Sequence, residues 1–216
     1  MLFLTVATSL GIQFPAYERN RYTRFKRAVV PEDDVNMDIN TLDFGDASPW
    51  MACIAIYARF LRKNGEYSCQ LIFSRTRTIP KEYIQSRGEL CAALINSHTG
   101  ETVRRSISKW HKSSIKLTDS QIVLHWIDNE EKPLKQWVQN RVVDIKRFTQ
   151  KRHWYYVNTE NMIADIGTRK SASIQDVNAQ STWLNGYNWM RKDQSEFPIK
   201  SASQLKLSEL DMSEVH

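Results

Sequence analysis

The chain has 216 residues, of which 41% are hydrophobic and 25% are charged, a composition typical of a globular protein with a core of its own. Its mean hydropathy is −0.52, and its apolar stretches fall short of the roughly 18 residues that a membrane-spanning helix needs. The formal net charge of +6 favours nucleic acid or another polyanion as partner, so we expect such a partner and no membrane segment.

The cysteine and histidine content predicts free thiols and no structural zinc site. Cys53, Cys69 and Cys91 are odd in number and lack CxxC spacing, which is typical of a reducing compartment. The histidines are scattered along the chain without the spacing of zinc ligands. We therefore expect an intracellular location, cytoplasmic or nuclear.

Residues 1–38 are predicted to form an irregular segment. The stretch Tyr17–Arg27 mixes basic and aromatic residues, and the acidic stretch Pro31–Asp38 follows it. The basic stretch could contact phosphates, or it could be a solvated segment that packs on a neighbouring region. The sequence leaves both interpretations open.

Three strands of an antiparallel meander are predicted next. Ile39–Asp46 is a short strand that ends in a turn, Trp50–Leu61 is apolar on both faces like a central strand, and Tyr67–Arg77 alternates. Between the last two strands, Lys63–Glu66 contains an Asn-Gly pair, which tolerates the positive φ of a hairpin turn.

Helices and strands then alternate. The pattern predicts a helix from Ser86 to at least Arg105, a strand Ser114–Asp119, helices Ser120–Asn129 and Pro133–Phe148, a strand His153–Val157 and a short helix Asn161–Arg169. This order predicts an α/β fold: a five-stranded mixed sheet, three antiparallel strands first, with helices on its faces.

The predicted domain spans residues 39–170. From about Ser171 the chain is polar and rich in serine, with scattered apolar residues. We interpret residues 171–216 as a linker or tail, and we expect disorder beyond Pro198.

Four acidic residues lie at the ends of these predicted elements: Asp46, Glu89, Asp119 and Asp165. If the first and fourth strands are neighbours, Asp46 and Asp119 meet at one edge of the sheet, where Glu89 and Asp165 can reach them from packed helices. Carboxylates in one cleft repel each other unless cations neutralise them, and oxygen ligands select Mg²⁺ or Mn²⁺. Two such ions are the usual arrangement for phosphodiester cleavage, so the set predicts a two-metal nuclease site.

Each acidic residue also has a simpler interpretation. Asp119 could cap the helix that follows it, Glu89 could stabilise a helix dipole, and Asp46 could be a turn residue. Asp165 lies among small and apolar neighbours, where a charge is harder to explain. The joint placement, one carboxylate for each expected element, favours the metal site.

Five segments carry a further signal: FGDASPWMACIAIY, RGELCAALINSHTGE, LTDSQIVLHWI, PLKQWVQNRVVDIKRF and NMIADIGTR. Together they resemble the ribonuclease H domain of LTR retrotransposon polyproteins, most closely the BEL/Pao group. The resemblance covers roughly residues 39–170. The stretch Trp183–Pro198 resembles the segment that leads toward the integrase in such polyproteins.

The resemblance implies a ribonuclease H-like fold and endonucleolytic cleavage of the RNA strand of an RNA–DNA hybrid during reverse transcription. By motif, Asp46, Glu89, Asp119 and Asp165 take the positions of the family's catalytic, metal-binding carboxylates, which hold two Mg²⁺ or Mn²⁺ ions. Asp46 and Asp119 would be the inner ligands, with Glu89 binding one ion and Asp165 the other.

The resemblance also implies partners and a location. The partners would be the RNA–DNA hybrid and the reverse transcriptase and integrase regions of the same polyprotein. Residues 1–38 would be a remnant of the link to the reverse transcriptase, and residues 171–216 would lead toward an integrase region. The chain would then be a fragment of an element, located in a cytoplasmic virus-like particle or in the nucleus.

Substrate contacts are predicted from the chemistry of the hybrid, which is recognised by shape, by 2′-hydroxyls and by phosphate contacts. Ser48 and Ser120, beside two of the carboxylates, could bond sugar or phosphate oxygens, although capping is the commoner role for Ser120. The cationic candidates are Arg75, Arg77, Lys116, Arg141, Lys146 and Arg169. Trp50 and Trp126 are interpreted as core residues.

Two other functional classes remain open. A connection-type module would keep the fold and bind nucleic acid or reverse transcriptase without cleavage, but it would be expected to have lost one or more of the four carboxylates. An integrase- or transposase-like nuclease would need a different acidic spacing, typically with a glutamate last, where this chain has Asp165. An inactive fragment of a degraded element is the remaining alternative.

Overall fold

The computed structural model describes residues 35–130, 132–169 and 180–205. Most of the segment predicted as irregular, residues 1–34, lies outside these ranges. The first strand begins at Val35, earlier than the predicted Ile39. None of the helices in the described part of the chain has the length and hydropathy of a membrane span.

The described strands form one mixed sheet in the order β3-β2-β1-β4-β5-β6. They are β1 (Val35–Ala47), β2 (Met51–Arg62), β3 (Tyr67–Thr78), β4 (His111–Thr118), β5 (Trp154–Val157) and β6 (Ile199–Lys200). The first three are antiparallel neighbours, β4 runs parallel to β1, and β5 runs parallel to β4. The predicted fold class is therefore confirmed, with a sixth strand of two residues added antiparallel to β5.

The described helices lie on the two faces of this sheet. They are α1 (Gln85–Ser106), α2 (Gln121–Asp128), α3 (Gln136–Phe148), α4 (Asp165–Thr168) and α5 (Thr182–Asn185). The last predicted helix is a single turn because a 3₁₀ turn, Thr159–Asn161, precedes it. Helix α3 begins at Gln136, three residues after Pro133, because its N-cap residue Lys135 has a non-helical ψ of 141°.

Side-chain alternation divides the core into two layers, one on each face of the sheet. On one face, apolar residues of α1, α2 and α3 pack around Trp126 and Trp154, and further residues of α1 pack on Ile54 and Ile56. On the other face, Phe44 and the neighbouring strand residues pack against the C-terminal segment 180–205. Both faces of the sheet are therefore covered, as its apolar strands require.

Residues 183–199 of the C-terminal segment 180–205 contribute to that second layer, whereas Ala202 and Leu205 pack with the helices on the first face. Trp183 is fully buried, and its carbonyl oxygen accepts a hydrogen bond from the Tyr57 hydroxyl at 2.6 Å. Arg59, buried in β2, donates through Nε to the Met190 carbonyl oxygen at 3.0 Å and lies 3.3 Å from the centre of the Tyr67 ring. Apolar burial and a buried guanidinium together hold this segment on the sheet.

The disorder expected beyond Pro198 is wrong for residues 199–205, which form β6 and a capped 3₁₀ turn, Ala202–Gln204. A two-residue strand is too short to leave an alternation pattern, so the sequence did not indicate it. Residues 206–216 lie outside the described ranges. The interpretation of residues 171–216 as a connection to a further region stays a prediction.

Candidate active site

Two candidate carboxylates lie at the carboxyl-terminal ends of neighbouring parallel strands. The register of β1 and β4 pairs Phe44 with Leu117, and Asp46 and Asp119 each follow two residues later. The sheet thus provides the arrangement that the predicted site required, with one aspartate from each of two adjacent strands at the same edge.

Asp46 is the most buried of the four acidic residues, with 8% of its surface exposed. Its Oδ2 atom accepts a hydrogen bond of 2.8 Å from the Thr168 hydroxyl, at the end of α4. Burial raises the pKa of Asp46 to about 7; repulsion from Asp119 and Asp165 adds to this rise, and the Thr168 hydrogen bond opposes it. The protein surroundings therefore compensate the ionised form of this carboxyl group poorly.

Asp119 does not cap the helix that follows it. The capping residue of α2 is Ser120, whose hydroxyl accepts from the Val123 amide at 3.3 Å. Asp119 instead accepts from the Thr159 hydroxyl at 3.1 Å. Burial raises the pKa of Asp119, with a further contribution from Asp165. The capping alternative for Asp119 is thus wrong, and Ser120 has the commoner role expected of it.

Glu89 lies in the second turn of α1, so it is not in the first turn that a dipole role requires. The Gln85 amide nitrogen donates both to Glu89 Oε1 at 3.1 Å and to the Ala47 carbonyl oxygen at 2.7 Å. This bridge fixes the start of α1 beside the end of β1. Burial raises the pKa of Glu89; hydrogen bonds from Ser120 and Gln85 oppose the rise, and the charge of Asp119 adds to it.

Asp165 begins α4 and forms an ion pair with Arg169 one turn later, with 2.7 Å between Arg169 Nε and Asp165 Oδ2. Its charge contributes to the raised pKa values of Asp46 and Asp119. Asp165 is therefore near both strand-end aspartates while its carboxylate is hydrogen-bonded to an arginine.

The donor chemistry of this set fits a hard divalent cation, because all four side chains offer carboxylate oxygens. The positions of the four side chains, however, do not form a metal site. Among residues 35–130, 132–169 and 180–205, no three His, Cys, Asp or Glu side chains are placed to hold a metal ion together. The carboxylates instead bond to Thr168, Thr159, Gln85 and Arg169. Joint binding of one ion would require these side chains to turn toward each other.

The residues predicted to bind substrate differ in their partners and in their distance from the carboxylates. Ser48 donates to the Met51 carbonyl oxygen at 3.3 Å within the β1–β2 turn, and Arg169 pairs with Asp165 as described. Arg75 lies opposite Ile54, which in turn pairs with Gly45, so Arg75 is level with the end of β1 but two strands away.

Three interpretations of other residues are corrected or confirmed. Lys116 is 3% exposed and forms a buried ion pair with Asp43, so a phosphate contact through it is wrong. Trp126 is fully buried, as predicted, whereas Trp50 is 46% exposed, because the tight β1–β2 turn leaves it outside both core layers. Sequence reasoning also missed the hydroxyl and amide partners of the carboxylates, which carry no local signal.

The strand order, with three antiparallel strands followed by two parallel ones, is that of a ribonuclease H-like domain. Residues 14–120 match the sequence model of the Pao retrotransposon-like RNaseH-like domain. The match covers 107 of the 216 residues, and it confirms the resemblance to a Pao-type ribonuclease H-like domain over that part of the chain. The matched range contains Asp46, Glu89 and Asp119 and ends before Asp165.

Solved structures similar to this chain include two ribonuclease H domains. The N-terminal RNase H domain of a Mycobacterium tuberculosis protein, solved as a fusion with maltose-binding protein, is 10% identical, with a TM-score of 0.41 over 65% of this chain and 97% of that one. RNase H1 from the halophilic archaeon Halobacterium salinarum is 11% identical, with a TM-score of 0.39 over 64% of this chain and 98% of that one. No curated protein matches the chain.

Proposed function

We propose that this domain is a divalent-metal-dependent ribonuclease that cleaves the RNA strand of RNA–DNA hybrids during reverse transcription of a BEL/Pao-type element. The observation that carries the proposal is the placement of Asp46 and Asp119 at matching ends of β1 and β4. The charge of Asp165 acts on the ionisation of both aspartates, and the charge of Asp119 acts on that of Glu89. Carboxylates gathered at one end of the sheet repel each other, and a bound cation would offset that repulsion.

Asp46 and Asp119 would be the inner ligands of two Mg²⁺ or Mn²⁺ ions, with Glu89 on one ion and Asp165 on the other. Such ions activate a water molecule for attack on the phosphodiester and stabilise the leaving oxygen. The chain's own hydrogen bonds orient the carboxylates: Thr168 on Asp46, Thr159 on Asp119 and Gln85 on Glu89.

The substrate and partners follow from the same proposal. The hybrid would lie over the carboxylate edge, with Ser48, Ser120, Arg75 and Arg169 as candidate contacts to sugar and phosphate oxygens. The partners would be the reverse transcriptase and integrase regions of the same polyprotein, in a virus-like particle or in the nucleus. Since phosphate contacts release counterions, binding of the hybrid should weaken as salt rises.

A second function, a connection-type module that binds without cleaving, is favoured by one observation. The four carboxylates are held apart by hydrogen bonds, and Asp165 already has a cationic partner in Arg169. Such a domain would keep its affinity for nucleic acid with no metal-dependent chemistry. Cleavage by the intact chain separates the two functions.

The test is a cleavage assay on a labelled RNA–DNA hybrid, beside duplex DNA, with Mg²⁺, Mn²⁺ or EDTA. We expect metal-dependent cleavage of the RNA in the hybrid alone, and Asp46→Asn and Asp119→Asn should each lower its rate by about 100-fold or more. Asp38→Asn is the matched control, because Asp38 lies at the opposite end of β1, where it pairs with Lys112. It should keep full activity.

Binding of the hybrid, followed by fluorescence anisotropy, should survive in all three variants. Full activity of Asp46→Asn or Asp119→Asn would overturn the site assignment. Hybrid binding by the folded, unmodified chain without cleavage in either metal would favour the connection-type module.

A further inference from the structure

A cavity of about 580 Å³ lies at the end of the sheet opposite to the carboxylates. It is bounded by the last turns of α1 and α3, by the start of β4 and by the segment before β5. Along β4 the cavity is lined from His111 to Lys116, which lies three residues, or roughly 10 Å, before Asp119. None of the four candidate carboxylates lines it. The cavity is therefore separate from the candidate active site, and its volume is in the range of small-molecule sites.

The wall of this cavity is strongly basic. Its described Lys and Arg side chains are Arg104, Arg105, Lys112, Lys116, Lys146 and Arg147. Among the described residues that line it, Glu101 is the only carboxylate. These cations come from two helices and a strand, so tertiary packing rather than a local charge run assembles them.

Carboxylates within and behind the wall offset only part of this charge. Lys112 pairs with Asp38 at 2.6 Å, Lys116 with Asp43 at 2.5 Å and Arg147 with Asp144 at 3.2 Å.

Two further arginines share one carboxylate, because Glu101 accepts from Arg104 at 2.6 Å and from Arg105 at 2.7 Å. Lys146 donates to a neutral acceptor, the Asn129 carbonyl oxygen, at 3.0 Å. A surplus of positive charge therefore remains at the cavity.

Helix ends account for part of this arrangement. The carboxyl ends of α1 and α3 carry partial negative charge, which favours basic side chains in their last turns. Burial lowers the pKa of both histidines of the wall. At His111 the charge of Asp43, and to a lesser degree that of Glu101, opposes this shift, while Arg104 and Lys116 add to it. At His153 the charges of Arg152 and Lys116 lower the pKa further.

An exposed aromatic ring lies at the rim of the cavity. Phe148, the last residue of α3, is 39% exposed and lines both this cavity and an adjoining hollow of about 170 Å³. Its ring packs on His98, with 4.6 Å between the ring centres. An aromatic face beside cations is the combination that holds a nucleobase next to its phosphates.

We propose that this cavity is a second anion site that binds the phosphates of a nucleotide, with the base against Phe148. The ligand is either a free nucleoside triphosphate or a nucleotide unit of a single-stranded nucleic acid, since both carry the same phosphate and base. The site acts independently of metal ions and of the carboxylate edge.

The experiment measures binding of three probes to the full chain in EDTA: tripolyphosphate, ATP and a ten-nucleotide single-stranded RNA. EDTA removes metal-mediated binding at the carboxylate edge. In the double variant Arg105→Gln/Lys146→Gln, affinity for the probes that bind should fall by about tenfold or more, because two phosphate contacts are lost. The double variant Lys63→Gln/Lys200→Gln removes the same charge from exposed residues elsewhere and should change affinity less than about twofold.

The variant Phe148→Leu separates phosphate from base. It should lower the affinity for ATP or RNA by about fivefold or more, because base stacking contributes about 1–3 kcal/mol. The affinity for tripolyphosphate should stay unchanged. Binding of RNA without ATP assigns the site to a nucleic-acid strand, and equal binding of both assigns it to a free nucleotide. Absence of saturable binding of all probes, or equal losses in the two double variants, would overturn the proposal. If Phe148→Leu changes the affinity for none of the probes, the proposed contact between the base and Phe148 is wrong.

Discussion

At the scale of single residues, the centre of the molecule is organised by a buried ion pair. Lys116 Nζ lies 2.5 Å from Asp43 Oδ2 and 3.3 Å from both the carbonyl and the side-chain oxygen of Asn96. The Asn96 amide donates in turn to the Asp43 carbonyl oxygen at 2.9 Å. Buried charges cost desolvation free energy and are retained only with such partners. These contacts tie α1 to the middle of β1 and β4.

Gly100 makes this packing possible. A Cβ atom at this position would overlap both Lys116 Nζ and Asp43 Oδ2, and a buried ion pair cannot move aside without losing its hydrogen bonds. We therefore predict that Gly100→Ala lowers the free energy of unfolding by about 2 kcal/mol or more, as overpacking of a core does, measured by urea denaturation.

Gly88, in the same helix, is the matched control. A Cβ atom there would make only ordinary contacts, at 3.4 Å from Ile79 Cδ1. Gly88→Ala should leave stability unchanged or raise it by about 0.5–1 kcal/mol, because alanine is favoured in a helix. Equal effects of the two substitutions would contradict the role given to Gly100.

At the scale of elements, the last turns of α1 contain one carboxylate, Glu101, that is paired with two arginines. Hydrogen bonds from Arg104 and then Arg105 lower the pKa of Glu101 from 4.5 to about 2, although partial burial opposes the shift. A carboxylate with a lowered pKa stabilises the folded state above its unfolded pKa. This contribution is lost as the pH falls from about 4.5 to about 2.

We predict that Glu101→Gln destabilises the protein slightly at pH 7, by about 0.3–0.5 kcal/mol, because its arginine partners are exposed. The difference in unfolding free energy between the variant and the unmodified chain should shrink as the pH falls below about 4.5. A pH series of urea denaturation curves measures it. A difference that stays constant down to pH 2 would show that the two ion pairs contribute nothing to the acid dependence.

At the scale of the whole molecule, the sheet is stable only if both faces are covered. Helices α1, α2 and α3 cover one face, and residues 183–197 of the C-terminal segment cover much of the other. Trp183 of that segment is fully buried in the second layer, in the same apolar cluster as Phe44 and Tyr57. The segment is thus an integral part of the folded structure.

We predict that Trp183→Ala lowers the free energy of unfolding by about 3–5 kcal/mol, the usual effect of truncating a buried aromatic residue. Trp50→Ala is the control, since Trp50 is 46% exposed and surface substitutions usually change stability by no more than about 0.5 kcal/mol. Both can be measured by urea denaturation followed by circular dichroism. Equal stability of the Trp183 variant and the unmodified chain would mean that the segment is not needed to cover the sheet.

The sequence by itself determined the main elements and their order, because alternation, helical spacing and turn residues are local properties. Asn64 and Gly65 form the predicted hairpin turn, with Gly65 at a φ of +84°, and the three-stranded meander and the helices α1 to α3 follow the apolar pattern. The four acidic residues could also be chosen from sequence, since their resemblance to family motifs is carried by short segments.

Only the tertiary structure decided how these residues are partnered. The Thr168 hydroxyl reaches Asp46 across 122 positions, and Thr159 reaches Asp119 across 40. No local pattern distinguishes Lys116, which is buried against Asp43, from an exposed lysine, or predicts that residues 180–205 cover a face of the sheet. The basic cavity likewise exists only because the ends of α1 and α3 meet the start of β4. Burial, pairing and charge clustering depend on contacts between distant segments, and folding alone brings those segments together.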